Sequence, residues 1–120
     1  MVGKDKGVIF MAQKSILNDI PENLIKKSVI LFRKNNIPIE KIILFGSYAK
    51  GKAKPWSDLD ICVVSKEFGK DSYQEMVMLK QLTSQVDPMI EPHPYNPKDL
   101  TNFLDPLVFE IQKTGKTIPT

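Results

Sequence analysis

Asp58 and Asp60 stand two residues apart at the head of an apolar run, Asp58-Leu59-Asp60-Ile61-Cys62-Val63-Val64. Side chains alternate along an extended strand, so both carboxylates fall on one face while Leu59, Ile61 and Val63 point the other way. Two carboxylates held side by side repel each other, and a divalent cation relieves that repulsion. A hard ion such as Mg²⁺ takes oxygen ligands, often one or two carboxylates plus the phosphates of a substrate. Taken alone, the pair is more simply a turn cap followed by a solvent-facing aspartate at a strand end.

A second feature lies a short distance upstream. Gly46-Ser47 ends the apolar run Lys41-Ile42-Ile43-Leu44-Phe45. Glycine lets backbone N–H groups come close to an anion, such amide concavities bind phosphate oxygens, and a serine hydroxyl adds one more donor. A lone Gly-Ser is an ordinary turn, and the Gly-Lys-Ser/Thr ending of a Walker loop is absent. The joint spacing carries the weight: each half sits on its own apolar strand, so a phosphate cradle lies near a pair of metal-binding carboxylates.

The elements that must position these residues follow from pattern. A helix is expected from about Pro21 to Asn35, with Asn18 and Asp19 supplying capping chemistry and Leu24, Val29, Leu31 and Phe32 facing the core. Residues 41–45 and 58–64 read as buried strands, joined by a polar, basic loop from Ser47 to Lys54 and by Pro55-Trp56-Ser57. A second helix runs from about Ser72 to Ser84, capped by Asp71 or Ser72, with Met76, Leu79 and Leu82 on its apolar side. Prolines at 88, 92 and 94 exclude a regular central strand over 86–95 but permit a short extended or edge segment. A last helical region starts near Pro97, breaks or restarts at Pro106 and ends at Gly115. The fold class is therefore α/β (α+β): a small mixed sheet with helices packed against it.

Composition narrows the setting. The 120 residues suit one domain, placed at 15–120 after a flexible lead-in over 1–14. No segment is long enough to span a membrane, and the short apolar run at 7–12 lacks a clear leader cleavage site, so a cytoplasmic protein is expected. The single cysteine, Cys62, excludes an internal disulfide framework and reads as a small buried hydrophobe. A net charge of +3 is too weak to indicate nucleic acid as a partner.

Leu44-Phe45-Gly46-Ser47-Tyr48-Ala49-Lys50-Gly51 together with Ser57-Asp58-Leu59-Asp60-Ile61 resembles the signature of the DNA polymerase β-like nucleotidyltransferase superfamily, in the version found in its minimal nucleotidyltransferases. The resemblance implies a polymerase β palm-like fold in which Gly46, Ser47 and Lys50 contact the triphosphate and Asp58 and Asp60 bind two Mg²⁺ ions. Lys50 stands where arginine is more frequent, keeping the charge but losing the bidentate fork. The family usually adds a third carboxylate from a later strand. Asp87 and Glu91 both fall in the right region. Glu91 is favoured because Met89-Ile90-Glu91 looks like the end of a short buried strand, whereas Asp87 precedes a proline and reads as a turn residue. His93, between two prolines, is read as a surface or structural histidine. Trp56 either stacks a base or packs under the loop.

What the resemblance implies for function is two-metal nucleotidyl transfer, with Asp58, Asp60 and Glu91 as the catalytic and metal-binding set. The donor on family grounds is a nucleoside triphosphate, ATP. Larger relatives carry a further domain that selects the acceptor; with no room for one here, the acceptor is expected on a partner, and minimal nucleotidyltransferases typically pair with a helical HEPN-type toxin and serve as its antitoxin, some by adenylylating a tyrosine. Two other readings are a non-catalytic module that masks a partner and a free-standing transferase for a small molecule such as an aminoglycoside.

Overall fold

The structure is a computed structural model and describes residues 16–120; the lead-in expected over 1–14 lies outside the described residues. Helix α1 (Pro21–Lys34) buries Leu24, Ile25, Ser28, Val29 and Phe32, a stripe at helical spacing, and the Ser28 hydroxyl is satisfied by donating to Leu24 O at 2.9 Å. Its first turn holds Pro21 and Glu22 and its last turn Arg33 and Lys34, each on the end that the helix dipole favours. The expected cap differs. Ile20 is the N-cap and makes no side-chain cap bond, while Asp19 accepts from Ile20 N at 2.7 Å and from Asn23 Nδ2 at 3.1 Å. The proline itself removes one of the donors a cap would satisfy.

Strand β1 (Lys41–Phe45) leads into a one-turn helix, α2 (Ser47–Lys50), where the sequence suggested only loop. Strand β2 (Leu59–Val64) pairs antiparallel with β1, Ile43 opposite Cys62 and Phe45 opposite Asp60. Helix α3 (Ser72–Thr83) begins at the expected cap, Asp71, whose side chain accepts from Gln74 N at 3.1 Å. Strand β3 (Ile90–Tyr95) then lies parallel to β2, Leu59 opposite Ile90 and Asp60 opposite Glu91. A 3₁₀ helix (Pro97–Thr101) and helix α4 (Pro106–Thr114) divide the last helical region, with Asp105 capping α4 through Leu107 N at 2.9 Å. Strand β4 (Lys116–Ile118), not anticipated from so short a segment, returns antiparallel to β1. Gly115 is extended rather than left-handed; a Cβ there would collide with Ile111 O and lie 2.6 Å from Ile43 Cγ2, so its lack of a side chain lets the chain leave α4 and enter the sheet at once.

The sheet order is β3-β2-β1-β4, a mixed sheet as expected. β3 tolerates its prolines because it is an edge strand. Met89 O and Tyr95 O accept from Leu59 N at 2.9 Å and Ser65 N at 3.0 Å, so the odd positions face β2. Pro92 and Pro94 alternate with them and turn their missing donors to the open edge.

Both faces of the sheet are covered, which is why β1 and β2 read as continuous apolar runs. On one face Ile42, Leu44, Leu59, Ile61, Val63 and Ile90 pack with residues of α1 and with Leu79 of α3. On the other, Ile43, Phe45, Cys62 and Val64 pack with Leu100 and Ile111. Asp60 belongs to this second face, at its end. Among the described residues no helix is long and apolar enough to cross a membrane.

Cys62 is fully buried, and burial pushes its thiol up to about 12. The native protein is therefore expected to resist a thiol reagent and to take up one equivalent only in denaturant, followed by absorbance or mass; prompt labelling of the native chain would contradict this packing.

Candidate active site

The carboxyl end of β1 and the amino ends of β2 and β3 meet at one end of the sheet, and the motif residues gather there. Gly46 has φ 75° and ψ −154°, a region essentially closed to residues with a Cβ. A Cβ on Gly46 would lie 2.6 Å from Asp60 Oδ2. The backbone at the start of Gly46-Ser47 is thus in direct reach of the Asp60 carboxylate. Ser47 opens α2, whose turn closes through Lys50 N to Gly46 O at 3.1 Å and Lys52 N to Ser47 O at 2.9 Å.

Asp58 is the residue immediately before β2, one position short of the expected strand, and is exposed. The loop leading to it is pinned by a reciprocal pair: Ser57 N donates to Lys54 O at 3.0 Å and Lys54 N donates to Ser57 Oγ at 2.8 Å. Asp60 is half-buried, and His93 Nε2 lies 3.4 Å from its Oδ1. The edge of one ring meets the other between Phe45 and His93, centroids 5.2 Å apart, which holds the imidazole in place. His93, expected as a surface or structural residue, instead lies against the motif aspartate. The signal was available in the alternation of Glu91 and His93 on one strand, but it has meaning only once β3 is known to lie beside β2.

Glu91 is the register neighbour of Asp60, and its Oε1 accepts from Lys80 Nζ at 2.9 Å. Asp87 is elsewhere in role: it is buried, Oδ2 accepts from Asn18 N at 2.7 Å and ties down the segment before α1, and Oδ1 accepts from Met89 N at 2.8 Å within its own turn. Lys50 is half-exposed on α2 and pairs with Glu110 of α4 at 2.6 Å. A partly exposed pair of this kind is worth about 0–1 kcal/mol, so an arriving phosphate can exchange with Glu110 at small cost. Trp56 is 67% exposed rather than packed under the loop.

Among the described residues no three His, Cys, Asp or Glu side chains are gathered closely enough to hold a metal ion by themselves. Asp58 and Asp60 nonetheless fit Mg²⁺, which takes one or two protein carboxylates when substrate phosphates supply further oxygens. Beside the site a groove of about 540 Å³ starts at His93 and is lined by Tyr73, Met76, Tyr95 and Asp105 among others. Tyr95 Oη donates to Asp105 Oδ2 at 3.0 Å, and burial together with that carboxylate holds the phenol well above its ordinary value, so it remains a neutral donor.

A glycine-serine turn against an aspartate strand, on a small mixed sheet backed by helices, is the arrangement of a nucleotidyltransferase. Residues 24–112 match the family described as nucleotidyltransferase domain, and the chain belongs to that family. It is homologous to the minimal nucleotidyltransferases of the polymerase β-like superfamily. The chain is similar to one in a crystal structure of a toxin–antitoxin with AMP-PNP, at 28% identity and TM-score 0.57 over 83% of this chain and 73% of that one. A mutant of the toxin–antitoxin MntA-HpeT matches at 25% identity and TM-score 0.54, over 78% and 70% of the two chains. The complex of a tri-AMPylated Shewanella oneidensis HEPN toxin with its MNT antitoxin matches at 24% identity and TM-score 0.53, over 83% and 72%, a likeness of fold. No curated protein matches significantly.

Gly46→Ala is expected to lower stability by about 1–3 kcal/mol, because the φ and ψ of Gly46 strain any Cβ, and to weaken nucleotide binding by displacing Asp60. Denaturant unfolding and nucleotide titration measure the two effects; an alanine variant as stable and as tight-binding as the parent would contradict the close approach.

Proposed function

We propose that this chain transfers AMP from ATP, with Mg²⁺, to a hydroxyl on a helical HEPN-type partner protein and so acts as that partner's antitoxin. One observation carries the reading: the Gly46 backbone stands against the Asp60 carboxylate, so a triphosphate cradled at Gly46-Ser47 has its phosphates beside the pair Asp58 and Asp60. The similar toxin–antitoxin with AMP-PNP supports ATP as donor and a toxin as partner.

In this reading the Gly46 and Ser47 amides and the Ser47 hydroxyl bind phosphate oxygens, and Lys50 leaves Glu110 to join them. Asp58 and Asp60 hold Mg²⁺, two ions on the family resemblance. Mg²⁺ held there would offset the charge of the triphosphate and lower the pKa of the acceptor hydroxyl. The acceptor oxygen forms a bond to the α-phosphorus as the bond from that phosphorus to the bridging oxygen of the β-phosphate breaks. Pyrophosphate carries away the electron pair, the acceptor proton passes to solvent, and Glu91 would serve as the third carboxylate of the cation site. The groove beginning at His93 gives the acceptor segment a path to the site, and exposed Trp56 offers a platform for the base.

A second reading is a non-catalytic module that silences a partner by masking it. It is favoured by one observation: Lys80 already engages one oxygen of Glu91, so a cation would have only the other. A transfer assay with Mg²⁺, labelled ATP and the product of the neighbouring open reading frame separates the two. Label on the partner supports transfer; tight complex formation without label supports masking. In that assay Asp58→Asn is expected to reduce labelling by roughly 100-fold or more, the scale of losing a group that organises transition-state charge, with an unchanged melting temperature. Labelling at the parent rate would overturn the assignment of Asp58.

A further inference from the structure

Lys80 is on the helix that backs β3, outside the sequence motif, yet its ammonium reaches the site. Nζ donates to Pro88 O at 2.9 Å, to Ile90 O at 2.6 Å and to Glu91 Oε1 at 2.9 Å. An ammonium has three donors, and all three are used. Two of the acceptors are even-numbered carbonyls of the β3 region, which face the open edge of the sheet because the odd positions bond to β2. Lys80 therefore closes part of a strand edge that would otherwise present unpaired carbonyls.

The two backbone bonds distinguish Lys80 from an ordinary surface partner. They hold the ammonium where it is whether or not Glu91 is present, so Glu91 meets a fixed charge. A glutamate on an exposed edge strand otherwise loses substantial rotamer freedom when it is recruited to a site. Glu91 is the register neighbour of Asp60, and Lys80 supplies the opposite charge that pairs with it.

We propose that Lys80 is a positioning residue of the active site: by binding one oxygen of Glu91 it restrains that carboxylate, carried by the register neighbour of Asp60, and leaves the other oxygen to serve a cation held at Asp58 and Asp60. This rests on the reading of Glu91 as the third carboxylate given above. Partners that orient metal-binding carboxylates commonly change metal affinity by about 10–100-fold when removed.

The test is a double-mutant cycle read by binding of Mn²⁺ alone, titrated into the full chain and followed by electron paramagnetic resonance. Lys80→Met and Glu91→Gln are each expected to weaken Mn²⁺ binding by about 10-fold, and the double variant to bind no more weakly than Glu91→Gln. Lys80→Gln, whose amide can still donate to the edge carbonyls, is expected to weaken binding similarly, and it stands in for Lys80→Met if that variant melts during titration. Parent-like Mn²⁺ affinity in the Lys80 variants, with Glu91→Gln weakened, overturns the role of Lys80 alone. A further loss in the double variant equal to that of Lys80→Met shows action through the fold and also overturns it. Parent-like affinity in Glu91→Gln removes Glu91 from the metal site and the role of Lys80 with it.

Discussion

The site depends on one close approach. β1 and β2 run antiparallel with Phe45 opposite Asp60, so the residue after Phe45 must pass directly by the Asp60 carboxylate. Only a residue without a Cβ fits: an added atom would lie 2.6 Å from Asp60 Oδ2, and the backbone angles are those that glycine alone adopts comfortably. On the proposed reading Gly46 links two chemistries that neither motif half supplies alone, backbone donors for anions and a carboxylate for cations.

The remainder of the fold holds that contact in place. Apolar side chains on both faces of β1 and β2 clamp the strands between α1 and α3 on one side and α4 with the 3₁₀ helix on the other. The parallel addition of β3 brings Glu91 and His93 to the same end of the sheet, on the same face as Asp60. Its prolines then stop the sheet from growing, and Lys80 covers the edge carbonyls of Pro88 and Ile90. On the proposed reading the edge of the sheet is also an edge of the active site. Change at the β3 edge is expected to reach the chemistry through Glu91.

Much of this was legible in the sequence, for local reasons. The apolar runs at 41–45 and 59–64, the helix of 21–34 and the cap at Asp71 all follow from hydrophobic period and turn chemistry, signals carried by neighbours in the chain. The mixed sheet and the family were legible as well, the latter from Gly46-Ser47 and Asp58-Leu59-Asp60. What was not legible depended on contacts between distant segments. The antiparallel direction of β1 and β2 is set by packing rather than by their connecting loop. β4 is three residues long and has no pattern of its own; it is a strand because Gly115 lets it reach β1. His93 beside Asp60, Lys80 on Glu91 and Glu110 on Lys50 are long-range pairs that no spacing announces. The cap of α1 departs from the one expected at Asn18 and Asp19 because proline at the first helical position substitutes for a side-chain cap.

The central claim is that anion and cation meet at Gly46 and Asp60. The direct measurement is a crystal structure of the chain grown with Mn²⁺ and AMP-PNP, with an anomalous difference map at the manganese edge. The account predicts anomalous density within coordination distance of the Asp58 and Asp60 carboxylates and phosphate oxygens against the Gly46 and Ser47 amides. Manganese bound away from both aspartates, or a triphosphate seated away from Gly46-Ser47, would contradict it.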